Sequence, residues 1–134
     1  MALGRVLVVD DEADIRKMVK MTLTKAGYDV IEAEDGAKGI AAVRSGDNPL
    51  VLNTIICDLA MPNVGGMEAI AYFRSQFPSV PVIVLSGTGT IEKASTLFKQ
   101  GVVEYLNKPI EPDKLTAAVH KAVKQSGYKD DHVT

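Results

Sequence analysis

The sequence predicts an α/β protein: a five-stranded, doubly wound parallel sheet with helices on both faces. Three observations predict it. Short apolar runs alternate with amphipathic stretches, and the alternation repeats five times. The apolar runs are continuous and rich in β-branched residues, which marks strands covered on both sides. Crossovers between parallel strands are right-handed, so such a series of units spreads its helices over both faces. A length of 134 residues suits one domain, which at this size buries roughly 68–70% of its unfolded-chain surface.

The elements follow in order. Arg5 to Val9 (RVLVV) is a strand that stops at Asp10 and Asp11. A helix-period segment follows, with Ile15, Met18, Val19, Thr22, Leu23 and Ala26 on one face and Gly27 as its terminator. Tyr28 to Ile31 reads as the second strand. Asp35-Gly36 opens a helix whose apolar face holds Ile40, Ala41 and Val43 and which ends at Gly46. Asp47 to Leu52 reads as a polar loop containing Pro49, and Thr54 to Cys57 as a third strand ending at Asp58. Asp58-Leu59-Ala60-Met61-Pro62 leads through Gly65-Gly66 into a helix with Ile70, Phe73 and Phe77 inward. Pro81 to Leu85 (PVIVL) is a buried-type strand ending at Ser86. Ile91, Ala94 and Phe98 mark a fourth helix, stopped by Gly101. Val102 to Leu106 is the fifth strand, ending at Asn107-Lys108-Pro109. A last helix from Pro112 to Lys124 buries Leu115, Ala118, Val119, Ala122 and Val123. The expected organisation is a domain over residues 1–125 and a short polar tail, frayed, over 126–134.

Composition narrows the function classes. Seventeen acidic against fifteen basic residues give a net charge of −2. With no Lys/Arg stripe to neutralise phosphates, the pattern argues against direct nucleic-acid binding. The single cysteine, Cys57, can form neither an internal disulfide nor a zinc quartet, and reads as a core residue. No apolar run approaches the roughly 20 residues of a membrane span, and Met1 to Arg5 lacks the apolar segment of a signal peptide. These features predict a cytoplasmic protein without membrane insertion.

In open α/β sheets, ligands bind beyond the carboxyl ends of the strands. Those ends carry Asp10-Asp11, Asp58, Ser86 and Lys108. Were the strand order 2-1-3-4-5, strands one and three would be neighbours roughly 4.8 Å apart. Three carboxylates would then share one crevice and raise one another's pKa values unless a cation intervened. Oxygen donors favour a hard ion such as Mg²⁺. Asp58 would be a nucleophile toward a phosphoryl group, with Lys108 and the Ser86 hydroxyl binding its remaining oxygens. Taken singly, each residue has an ordinary explanation: a helix-capping Asp pair, a strand-end turn serine, a solvated lysine. Their shared position on one sheet edge is what singles them out.

These residues resemble the receiver domain of two-component response regulators, in its single-domain, chemotaxis-regulator-like form. The likeness rests on Val8-Val9-Asp10-Asp11-Glu12, on Asp58-Leu59-Ala60-Met61-Pro62 with Gly66 following, on Ser86, and on Lys108-Pro109. It covers Arg5 to about Lys124. The resemblance implies a flavodoxin-like sheet of order 2-1-3-4-5. It implies that Asp58 takes a phosphoryl group from a histidine kinase or histidine phosphotransfer protein. Asp11 and Asp58 would bind Mg²⁺ directly, Asp10 through water, and the Ala60 backbone carbonyl would complete the set; Mn²⁺ would substitute. Ser86 and Lys108 would contact the phosphoryl group, Tyr105 would be the aromatic switch, and the Lys108–Pro109 bond would be cis. The surface of the fourth helix, fifth strand and last helix would then change shape for a downstream protein target, and a homodimer is compatible with this scheme. Such a protein turns over no separate substrate.

Three departures from common receiver patterns stand out. Ala60 and Thr88 flank the path of hydrolytic water and so bear on the phosphoryl lifetime. Gly87-Thr88-Gly89 is glycine-rich and is expected to be mobile. Gly65 stands where an acidic or polar residue is frequent. Rival readings fit less well. A phosphorylation-independent interaction module would not need the intact Asp10, Asp11, Asp58, Ser86 and Lys108 set. A flavin domain would need a hydroxyl- and glycine-rich loop where Asp10 and Asp11 stand. An aspartate-nucleophile phosphatase would carry D-x-D, which Asp58-Leu59-Ala60 lacks.

Overall fold

A computed structural model of the chain describes residues 2–61, 64–87 and 90–133, with side chains through residue 125. The elements are β1 (Arg5–Val9), α1 (Ala13–Lys25), β2 (Asp29–Ala33), α2 (Gly36–Val43), α3 (Asn48–Val51), β3 (Leu52–Asp58), α4 (Gly66–Gln76), β4 (Val82–Ser86), α5 (Ile91–Lys99), β5 (Glu104–Asn107) and α6 (Pro112–Val133). The strands form one parallel sheet in the order β2-β1-β3-β4-β5. This is the doubly wound architecture that the alternating pattern predicts, with the 2-1-3-4-5 order.

Side chains alternate across the strands, so each strand feeds two cores. Val6, Val8, Ile56, Ile83 and Leu85 point to one face, where α1 and α6 cover them with Val19, Leu23, Leu115 and Val119. Leu7, Val9, Ile55, Cys57, Val82 and Val84 point to the other, against Val43 of α2, Ala69, Ile70 and Phe73 of α4, and Leu97 of α5. Gly27 and Gly101, expected as helix terminators, adopt φ of 104° and 100°, the left-handed region that releases a helix into the next strand. Asp35 caps α2 by accepting the Lys38 N–H at 2.8 Å.

Some elements differ from the sequence reading. The loop between α2 and β3 contains a one-turn helix, α3, because Pro49 presets the first-turn dihedral of a helix. On α2, Ala41 faces solvent, and the buried positions are Gly36, Gly39 and Val43. A Cβ on Gly39 would lie 2.9 Å from Val9 Cγ2, so the helix backbone itself packs on β1. The fourth helix of the sequence is present as α5, and within it Leu97 is the buried residue while Ile91 is 89% and Phe98 48% exposed. The tight return at Gly101 fixes this roll, with the Val102 N–H donating to Leu97 O at 3.1 Å. Finally, α6 runs on to Val133 through the segment read as a tail. No proline interrupts it there, and the lone Gly127 costs a helix only about 1 kcal/mol.

Candidate functional site

The parallel arrangement delivers the carboxyl ends of β1, β3, β4 and β5 to one edge. Each is held there by its neighbour's backbone. The Asp10 N–H donates to Ala33 O at 3.1 Å, the Leu59 N–H to Leu85 O at 3.1 Å, and the Lys108 N–H to Ser86 O at 2.8 Å. Asp10, Asp58 and Ser86 are buried, and Asp11 and Glu12 are exposed at the mouth. Carboxylate oxygens of Asp10, Asp11, Glu12 and Asp58 lie within 4.8 Å of one another.

Lys108 reaches into this cluster with a side chain only 13% exposed. Its Nζ stands 3.0 Å from Asp10 Oδ2, 3.0 Å from Glu12 Oε1 and 3.4 Å from Asp58 Oδ2. Asp10 is oriented by the Glu12 N–H, which donates to its Oδ1 at 2.9 Å, while Arg16 Nη1 donates to the Asp10 carbonyl at 2.7 Å. Asp58 Oδ1 accepts the Ala60 N–H at 3.3 Å. The helix after the β3 loop approaches closely: a Cβ on Gly66 would lie 2.2 Å from Asp58 O. Only glycine lets α4 begin there.

The electrostatics follow from crowding. Burial pushes Asp58 up to about 6, the Asp10 charge adds to the rise, and Lys108 opposes it. Burial also raises Asp10, against the Glu12 N–H and the Lys108 charge, which lower it. Burial alone would lower Lys108, but its hydrogen bonds to Asp10 and Glu12 and the nearby charges outweigh it and lift the ammonium above its usual range. The neighbouring Cys57 thiol is pushed up by its burial and then by the Asp58 and Asp10 charges.

The donor set suits a hard divalent cation. Every available donor is a carboxylate oxygen, contributed by Asp10, Asp11, Glu12 and Asp58 within one cluster.

Of the residues singled out in the sequence, Asp10, Asp11, Asp58 and Lys108 converge on this cluster. Ala60 is tied to it through its N–H. Ser86 is buried at the end of β4, opposite Asn107 in the register. Tyr105 lies two strands away from Asp58, on β5 beyond β4, with its ring packed against the core under α2, α4 and α5. Its hydroxyl is buried with no hydrogen-bond partner among the described residues. The Lys108–Pro109 bond is cis. Pro62, Thr88 and Gly89 lie outside the described residues, and with them the expectation of a mobile loop at 87–89.

Glu12 is the site residue that sequence reasoning missed. It stood within the quoted acidic run, but nothing local indicates a partner 96 positions away.

Comparison with known proteins agrees with the geometry. The family description "Response regulator receiver domain" matches residues 6–120. The chain is 35% identical over 128 residues to the transcriptional regulatory protein GlrR of Escherichia coli, covering 96% of this chain and 28% of that protein. With the transcriptional regulatory protein FixJ of Bradyrhizobium diazoefficiens it shares 29% over 123 residues, covering 92% of this chain and 58% of that one. It thus spans less than two thirds of either relative. Among solved structures, a receiver domain protein from Clostridium thermocellum matches with a TM-score of 0.86 at 29% identity, covering 93% of this chain and 98% of the other. The chemotaxis protein CheY4 of Vibrio cholerae matches with a TM-score of 0.80 at 32% identity, covering 90% and 99%. No described helix is long and apolar enough to cross a membrane. The chain belongs to the response regulator receiver domain family of two-component systems.

Proposed function

We propose that this chain is a phosphorylation-dependent cytoplasmic switch that accepts a phosphoryl group on Asp58 from a histidine kinase or histidine phosphotransfer protein. The observation that carries the reading is one buried carboxylate, Asp58, raised to about 6 and set 3.4 Å from the Lys108 ammonium inside an oxygen-rich cluster. A carboxylate so placed is an acceptor once its charge is balanced. An Asp58 oxygen attacks phosphorus, the bond from phosphorus to the donor imidazole nitrogen breaks, and that nitrogen leaves with the electron pair. Lys108 and the Ser86 hydroxyl bind the phosphoryl oxygens, because such transfers are governed by positioning and charge neutralisation.

Mg²⁺, held by Asp11, Asp58 and the Ala60 carbonyl with Asp10 acting through water, would supply neutralising charge to the carboxylates and the transferring group; Mn²⁺ would substitute. Asp58 phosphorylation draws Ser86 toward the new charge and lets Tyr105 turn into the space released. The buried Tyr105 hydroxyl supports this role, since a polar group with no partner gains by moving to a position where it finds one. The readout surface is that of α5, β5 and α6. There Ile91 and Phe98 are exposed apolar side chains, as a surface reserved for a protein target, or for a second copy in a homodimer, requires. The net charge of −2 supplies no grip on nucleic acid.

Intact mass after incubation with acetyl phosphate tests the acceptor. A gain of one phosphoryl group in Mg²⁺ that disappears in EDTA is the expected result. A folded protein that binds Mg²⁺ yet gains nothing from acetyl phosphate or a kinase panel would replace this reading with the phosphorylation-independent interaction module. Titration calorimetry with Asp11→Ala checks the metal: affinity for Mg²⁺ is expected to fall at least tenfold, and unchanged binding would move the ion away from Asp11.

A further inference from the structure

We propose that Glu12 is a positioning residue that engages the Lys108 ammonium in the resting protein and is the group displaced when a phosphoryl group arrives. The inference rests on the reading of Asp58 as acceptor and Lys108 as a phosphoryl contact. Glu12 occupies the N-cap of α1 but makes no side-chain cap hydrogen bond. N-caps favour Ser, Thr, Asp and Asn, whose short side chains reach the first-turn amides. Glu12 is one methylene longer than Asp and instead spans 96 positions to meet Lys108 Nζ at 3.0 Å, in an aligned hydrogen bond. The same Nζ stands 3.0 Å from Asp10 Oδ2 and 3.4 Å from Asp58 Oδ2.

An ammonium has three N–H donors, and three carboxylates already surround this one. A phosphoryl oxygen therefore gains Lys108 only when one carboxylate yields. Asp10 is fully buried and would be left as an uncompensated charge. Asp58 is itself the group that becomes phosphorylated. Glu12, with its side chain 58% exposed, is rehydrated as it leaves. Repulsion between its carboxylate and the phosphoryl dianion acts in the same direction.

The test compares wild type with Glu12→Gln, Glu12→Asp and, as a charge control in the same helical turn, Asp14→Asn. Acetyl phosphate is the donor at saturating Mg²⁺: an Asp58 oxygen attacks phosphorus and acetate leaves with the electron pair. Both Glu12 variants are expected to phosphorylate roughly two- to fivefold faster, the range an exposed ion pair carries. Glu12→Asp keeps the charge but shortens the reach, so its acceleration isolates the contact from bulk charge. Asp14→Asn is expected to match wild type. In metal-free protein, the Lys108 ammonium resonance by nitrogen-15 NMR is expected to shift in both Glu12 variants and not in Asp14→Asn. Rates at or below wild type in the Glu12 variants would overturn the proposal. A tenfold loss of Mg²⁺ affinity in Glu12→Gln would overturn it too, by making Glu12 a metal ligand. A wild-type protein that takes up no phosphoryl group from acetyl phosphate or a kinase panel would instead overturn the acceptor reading, and this inference with it.

Discussion

Asp58→Asn is expected to take up no phosphoryl group and, in the same preparation without metal, to unfold at a higher temperature than wild type. The loss follows from replacing the attacking carboxylate with an amide, which cannot form the acyl phosphate. The gain follows from the cost of the native charge. Burial and Asp10 raise Asp58 from 3.8 to about 6, so the folded protein binds this proton more tightly than the unfolded chain. Below the unfolded value both states are protonated and the group is neutral in the balance. As pH climbs through that window the folded state is progressively disfavoured, and above about 6 the penalty is complete. Asparagine removes it, which stabilises the metal-free protein by about 1–2 kcal/mol near neutral pH once solvent screening is allowed for. The advantage should vanish toward the ordinary carboxylate pKa. Thermal melts in EDTA at neutral and acidic pH check both the sign and the window. Equal melting of the two proteins at neutral pH would mean that Lys108 already cancels the cost.

Gly66→Ala is expected to destabilise the protein by about 3 kcal/mol, the upper part of the usual range for overpacking. The added Cβ would lie 2.2 Å from Asp58 O, 2.5 Å from Leu59 Cα and 2.7 Å from Leu59 O. All three are backbone atoms, so no rotamer change relieves the overlap. Either α4 moves away from β3, uncovering Ile70 and Phe73, or the Asp58–Leu59 backbone shifts and carries the Asp58 carboxylate with it. The melting temperature should fall by roughly 10 °C, and phosphoryl uptake should drop even where the variant remains folded. Gly65→Ala is the matched control, because a Cβ there meets nothing within 4 Å. Denaturant unfolding of the pair separates the steric demand at Gly66 from a general dislike of substitution in the loop.

The sheet was legible because strands covered on both faces are uninterrupted apolar runs. Each such run ends abruptly where the chain reaches the polar edge. RVLVV before Asp10 and PVIVL before Ser86 are the clearest cases, and the same change of character located most of the site. Helix faces were less legible. On α2 the sequence favours Ala41, but the packing surface is made by Gly36 and Gly39, whose burial leaves no mark on an apolar pattern. On α5 the spacing of Ile91, Ala94 and Phe98 is helical, yet the turn at Gly101 rolls Leu97 inward. The part played by Glu12 depends on a tertiary contact with Lys108, and periodicity carries no information about contacts between distant loops.

Cys57 pairs in register with Val9 on one side and Val84 on the other, at the middle of the sheet. It is the chain's one cysteine, fully buried, with a thiol held in its protonated form. An alkylating reagent can therefore reach it only when the central strand breathes. The rate of its labelling under native conditions becomes a clock for that opening, read without any added probe. Because Asp58 is the next residue, whatever ties down the acceptor, a bound cation or a phosphoryl group, should slow the clock. Occupancy of the site is thereby written into the chemical accessibility of a sulfur atom that takes no part in its reaction.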